Sequence, residues 1–253
     1  INQSNLCSEI TLPTDEERTA VCCLSSVNLE YFDEWKDHPL FIKDIVTMLD
    51  NVLETFIDNV ANLKGVNNKI ESYTEFLDYV KVDKEGYAKA AYSAYRERAV
   101  GLGAMGFHSF LQRNSISFEG IYATSFNNRC FKYIKEQADE TSRTLASVRG
   151  EAPDMDGSGR RNACLLAVAP NASSSIICGG TSPSIEPIRA NIYTHKTLTG
   201  SYKVKNKYLE KLLEEKGINT KETWQEIAAN EGSVQTLKYL NDEEKEIFKT
   251  APE

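Results

Sequence analysis

The chain has 253 residues, 41% of them hydrophobic and 26% charged, enough for a substantial core in one large domain or two small ones. Its formal charge of −8 argues against direct nucleic-acid binding, which needs a broad basic face. No apolar run reaches the roughly 18 residues of a membrane span, and Ile1-Asn2-Gln3-Ser4-Asn5 has neither the basic nor the apolar region of a signal peptide. The chain does not begin with Met, which suits a processed chain or a piece of a longer one.

Asn5-Leu6-Cys7-Ser8-Glu9 opens the sequence, followed by a short apolar run, Ala20–Leu24, read as a strand. From Phe41 to Leu63 the apolar residues recur at helical spacing, with Pro39 ahead and Gly65 beyond, so a helix buried on one face is expected there. Tyr87–Ala99 reads as a second helix. Glu119–Val148 reads as a long third one, stopped by Gly150 and Pro153. The polar, glycine-rich stretch Gly150–Arg161 is a loop within a domain, because strand-like Ala163–Ala169 follows at once. Ile188–Tyr193 is a further strand candidate. Val204–Lys216 is an amphipathic helix ended by Gly217, and Thr220 caps another that runs to about Ala229. The alternation of helices and short apolar strands indicates an α/β fold with parallel pairing.

Six cysteines occur: Cys7, Cys22, Cys23, Cys130, Cys164 and Cys178. Without a secretory signal a reducing, cytoplasmic setting is the default, and a structural disulfide framework is not expected. The three histidines, His38, His108 and His195, are scattered, and no CxxC occurs, so no metal site is assigned.

Three segments carry candidate chemistry. In an extended Asn5–Glu9 segment the side chains of Asn5, Cys7 and Glu9 point to one side. An amide can hold a hydroxyl, a carboxylate can take a proton, and a thiol can lose a hydrogen atom or act as a nucleophile. Such a triplet also arises by chance. Cys22 sits fifteen positions after Cys7 in an apolar run, where a cysteine is usually a small buried hydrophobe. In Ala163–Ile176 a strand runs through Pro170 into Asn171-Ala172-Ser173-Ser174, a helix start rich in amides and hydroxyls. That is either an ordinary capped helix or an anion site. Gly101, Gly103 and Gly106 form a GxGxxG spacing, but helix-forming, charged sequence precedes them instead of a buried strand, so a dinucleotide site lacks its context.

Taken together, Asn-Leu-Cys-x-Glu-Ile at residues 5–10, Ala-Val-Cys-x-Leu at 20–24 and Pro-x-Ala-Ser-x-Ser at 170–175 resemble the large subunits of class I ribonucleotide reductases. The Leu-Cys-Ser wording differs from the Asn-Pro-Cys-Gly-Glu of the cobalamin-dependent class. Arg98–His108 resembles a scaffold stretch of the same family, in which glycines permit close packing. The resemblance implies part of a ten-stranded α/β barrel, its second half plus the finger loop, with many helices. Residues 1–18 would be the finger loop, 19–200 the half-barrel core and 201–253 a helical segment, with the effector-binding cone absent. It implies Cys7 as the thiyl radical, Glu9 as general base, Asn5 as ligand to the ribose hydroxyls and Cys22 as a redox-active thiol. Asn171, Ala172, Ser173 and Ser174 would cradle the substrate diphosphate. Cys23, Cys130, Cys164 and Cys178 are read as buried bystanders.

The same resemblance implies partners: a ribonucleotide, a small subunit with a radical-generating metal centre, and a thioredoxin- or glutaredoxin-type reductant. Nucleotide effectors would bind outside this segment. The partner of the redox thiol, the Tyr-Tyr pair and the carboxy-terminal cysteine pair of the family find no counterpart here. The expectation is therefore a fragment that needs the missing portion of the subunit. The alternatives are an inert split segment with a structural role, a nicotinamide enzyme built on Gly101–Gly106, and a cysteine hydrolase using Cys7.

Overall fold

The fold, described by a computed structural model, covers residues 8–66, 69–82, 85–198 and 200–253. In chain order it comprises β1 (Cys23–Asn28), α1 (Phe32–Trp35), α2 (Phe41–Val60), α3 (Tyr73–Leu77), α4 (Glu85–Glu97), β2 (Val100–Met105), α5 (Phe107–Arg113) and α6 (Ile121–Arg149). There follow α7 (Ala172–Ile177), the strands β3 (Ile192–Thr197) and β4 (Gly200–Lys205), then α8 (Lys207–Glu215), α9 (Lys221–Ala229) and α10 (Asp242–Ile247). The described strands form two two-stranded sheets, β1 with β2 and β3 with β4, and close no barrel. The chain divides into two compact units, residues 1–27, 33–104 and 131–170, and residues 28–32, 105–130 and 171–253.

In the first unit α2 follows from its sequence period. Ile42, Val46, Leu49, Leu53, Ile57 and Val60 fall three or four apart and are buried. The helix stops at Val60 rather than the expected Leu63, because Ala61 turns extended and bridges antiparallel to Val80. Asn62 N–H donates to Tyr79 O and Lys81 N–H to Val60 O, both at 2.8 Å, so the backbone groups a longer helix would have used are satisfied there. Asp50 also lies on the buried face of α2. Arg161 Nε donates to both of its oxygens at 2.9 and 2.8 Å, and Arg149 Nη1 donates at 2.7 Å. Burial alone would raise the Asp50 pKa, but Arg161 and its neighbours hold it below the usual value.

β1 begins three residues later than the expected Ala20–Leu24 strand. Ala20 and Cys22 instead pack against Ile10, Leu12, Ala99 and Ala167. An apolar run marks burial, whereas the ladder continues through Ser25 and Ser26 because it faces the glycine-bearing β2. That strand is buried at every residue, although two glycines give it little intrinsic preference for extended structure. The expected Ala163–Ala169 strand is reduced to one parallel bridge, Leu102 with Leu166. Three hydrogen bonds flank it, Val100 N–H to Cys164 O at 3.0 Å, Leu102 N–H to Leu165 O at 2.8 Å and Ala167 N–H to Leu102 O at 3.2 Å.

The second unit is built on an apolar cluster around Leu209, Leu213, Trp224, Ile227, Val234 and Leu237. Phe107, Phe110 and Phe126 form a separate aromatic stack. The expected Ile188–Tyr193 strand appears as β3, four residues further on, paired antiparallel with β4 in the register Ile192 to Lys205. α8 starts at Lys207 rather than Val204, because Asn206 caps it by accepting from Tyr208 N–H at 3.0 Å. α9 begins where expected, with the Thr220 hydroxyl accepting from Thr223 N–H at 3.2 Å.

Candidate active site

Cys22 lies in the first unit, half-buried just before β1. Its position depends on β2. A methyl added at Gly101 would lie 3.3 Å from Cys22 Sγ and 2.8 Å from Ala167 Cβ. One added at Gly103 would overlap the Ala167 carbonyl oxygen. Glycine at both positions lets Cys22, β1 and residues 163–169 close onto one strand. The thiol is removed from water, and burial pushes its pKa up to about 12. The nearby groups Cys164, Cys23, Glu9 and Glu97 push in the same direction. Its S–H donates to Cys23 O at 3.7 Å.

Glu9 acts electrostatically on Cys22 from a half-buried position. It is followed by Ile10 and Leu12, whose buried side chains share the apolar cluster of Cys22. Two of the expected site residues, thirteen positions apart in sequence, therefore meet in one unit. Asn5 and Cys7 lie outside the described residues.

The candidate phosphate segment belongs to the second unit. Asn171 adopts a left-handed conformation, φ 55°, and heads α7 with Ala172, Ser173 and Ser174 exposed. The first amides of a helix have no intrahelical acceptor, so those of residues 172–174 point outward at the positive end of α7. Ser175 is turned inward, its hydroxyl donating to Ala172 O at 3.1 Å. Ala172, Ser175 and Ile176 border a cavity of about 1050 Å3 that also reaches Thr181, Tyr193 and Lys207.

The bystander cysteines differ from one another. Cys130 is buried, Cys23 and Cys164 are half-buried, and Cys178 is exposed at the end of α7, where the Gly179-Gly180 turn leaves it open. Cys164 also shares the Cys22 cluster, which spacing in the sequence does not reveal. The GxGxxG alternative fails on geometry. Gly101 and Gly103 lie inside β2, closed against neighbouring atoms, and only Gly106, φ 78°, heads a helix. The sequence reading missed the charged residues that flank the Cys22 cluster, Arg18, Glu97 and Asp154. The trace that Glu97 leaves in the sequence is an acidic residue at a helix end, three positions before a buried strand.

A family model described as the ribonucleotide reductase barrel domain matches residues 1–159 and 154–253. The chain belongs to the ribonucleotide reductase barrel-domain family. Among its relatives is the ribonucleoside-diphosphate reductase large subunit of Invertebrate iridescent virus 3, 46% identical over 257 residues, covering 100% of this chain and 37% of the relative. The protein of the same description from Invertebrate iridescent virus 6 is 47% identical over 250 residues, covering 97% and 24%. The solved structure of the Actinobacillus ureae class Id ribonucleotide reductase alpha subunit superimposes with a TM-score of 0.82 at 42% identity, over 98% of this chain and 41% of that one. The chain thus spans 24–41% of the length of these three relatives. The glycines of β2 are packing residues, closed against Ala167, Cys22 and Ser26. No helix among the described residues is long and apolar enough to cross a membrane.

Proposed function

We propose that this chain supplies the radical cysteine and one redox thiol of a ribonucleoside-diphosphate reductase large subunit. Residues 1–18 then act as the finger loop, 19–200 as half-barrel core and 201–253 as a helical segment. The observation that carries this reading is that Glu9 acts electrostatically on Cys22, beside the apolar cluster that Cys22 shares with Ile10 and Leu12, in a chain of this family.

In this reading a thiyl at Cys7 takes the ribose 3′-hydrogen, the Asn5 amide holds the ribose hydroxyls, and Glu9 takes the 3′-hydroxyl proton. The 2′-hydroxyl leaves as water. Cys22 and a second thiol from another part of the subunit supply two electrons and end as a disulfide, and Cys7 returns its hydrogen to the 3′ position. The depressed acidity of Cys22 suits this task, because a protonated thiol can deliver a proton to the leaving hydroxyl. The amides of residues 172–174 hold the diphosphate, with Asn171 shaping their approach. The radical comes from a separate small subunit. A thioredoxin- or glutaredoxin-type reductant renews the thiols, effectors bind elsewhere on the subunit, and the setting is the cytoplasm.

The test is turnover in an assembly that holds residues 1–253 with the remainder of a large subunit and a small subunit. Cys7→Ser abolishes deoxyribonucleotide formation, and Cys22→Ser blocks turnover and the normal product. The 253-residue chain alone gives no turnover. Full multi-turnover activity in either variant overturns the reading.

A further inference from the structure

The segment that carries Glu9 toward Cys22 is fastened by a group of charges that the reaction above does not use. Arg18 Nη1 donates to Asp154 Oδ2 at 2.6 Å and to Glu97 Oε1 at 3.4 Å, and its Nη2 donates to Asp154 Oδ1 at 3.3 Å. Arg96 Nε holds Asp154 at 2.7 Å, and both guanidinium groups stand over the Tyr92 ring. Ser93 Oγ donates to Glu97 at 3.3 Å. Beside Arg18, Thr19 N–H donates to Lys89 O at 3.4 Å. With Glu97 ionised, two arginines face two carboxylates. With Glu97 protonated, the group keeps a net positive charge and Arg18 loses a charged partner.

We propose that Glu97 is a positioning residue for Cys22, holding the 8–19 segment through Arg18 and tightening that hold when it ionises. The proposal rests on the reading above for the role of Cys22. Glu97 is nearly enclosed, with 4% of its side chain exposed. Burial pushes its pKa up to about 7, and the like charge of Asp154 adds to this against the pull of Arg18. Asp154 stays ionised: burial would raise its pKa, but Arg18 and Arg96 hold it low. The ionised Glu97 also opposes formation of a Cys22 thiolate, as do Glu9 and the neighbouring Cys164 and Cys23. Both effects hold Cys22 reactivity, relative to an exposed thiol, lower above neutrality than below it.

The experiment reads the rate of Cys22 alkylation by iodoacetamide in the 253-residue chain, peptide by peptide by mass spectrometry, with exposed Cys178 as internal reference. Hydrogen exchange of residues 9–19 is followed in parallel. At pH 8 Glu97→Gln reacts at Cys22 about five- to tenfold faster than wild type, the size of one charge-assisted contact, and exchanges faster over 9–19. At pH 6 the two proteins agree. Glu97→Asp restores most of the pH dependence. Should Glu97→Gln fail to fold, Arg18→Gln must show the same loss of pH dependence. A ratio between variant and wild type that is equal at pH 6 and pH 8 overturns the proposal. Neither readout needs a radical or a nucleotide, so failure of the reductase reading leaves this result standing, and the reverse also holds.

Discussion

Gly103 is the position in β2 where a single methyl has the largest effect. Added there, it overlaps the Ala167 carbonyl oxygen and lies 3.2 Å from Ser26 Oγ. Relief requires residues 163–169 to move away from β2, which strains the bonds Ala167 N–H to Leu102 O and Leu102 N–H to Leu165 O. Overpacking a core costs about 1–3 kcal/mol, and two weakened backbone hydrogen bonds add about 1 kcal/mol each. The reduced entropy of the unfolded chain returns about 0.4–1 kcal/mol. Gly103→Ala is therefore expected to destabilise by about 2–5 kcal/mol. Gly101→Ala meets the end of the Leu24 side chain, which can rotate, along with Ala167 Cβ and Cys22 Sγ. It is expected to cost about 0–2 kcal/mol, and Leu24→Ala in the same chain should relieve part of that. Urea unfolding followed by circular dichroism gives the midpoints. A neutral or stabilised Gly103→Ala, or a larger loss at Gly101 than at Gly103, would refute the packing argument.

His108 and Asp50 give two further expectations. His108 is fully buried and its Nδ1 accepts from Ile188 N–H at 2.9 Å. Burial pushes its pKa down to about 4, below the roughly 6.5 of an unfolded chain. The unfolded state therefore binds a proton first. The contribution of His108 to stability is complete above about pH 6.5 and is lost, by up to about 3 kcal/mol, as pH drops toward 4. His108→Gln should flatten this dependence, and an unchanged slope between pH 7 and 4.5 would count against it. Asp50→Asn leaves Arg98 and Arg161 with Glu54 as the carboxylate they still touch and takes the paired carboxylate from Arg149, and is expected to cost about 3–5 kcal/mol by thermal unfolding. A loss under 1 kcal/mol would show that these arginines find other partners.

Helices were legible wherever one face carried a regular apolar spacing, as in α2, or a cap stood in the sequence, as Thr220 does before α9. Strands were legible only as burial. The run at Ala20–Leu24 marked the place where the chain enters the core, but the ladder lay at Cys23–Asn28, under the control of a partner strand whose sequence shows a GxGxxG spacing and no apolar run. Helix ends moved for the same kind of reason: Val80 takes up Ala61, and Asn206 sets the start of α8. Glu9 and Cys22 could be named from residue type and resemblance. Glu97 could not, because its function depends on burial and on Arg18 and Asp154, brought to it from 79 and 57 positions away.

The glycines, the thiol and the carboxylates form one physical chain of cause. Glycine at 101 admits the Cys22 sulfur against β2, and the closeness of that packing removes the sulfur from water. Loss of water raises the thiol pKa, and Glu9 and Glu97 raise it further. A cysteine meant to attack as a nucleophile is placed in the opposite setting, open and beside positive charge, where the thiolate is favoured. The setting of Cys22, half-buried and beside carboxylates, favours the protonated thiol instead. That property follows from packing and charge alone. It agrees with the role proposed for Cys22 and disagrees with any reading in which Cys22 is a free-standing nucleophile.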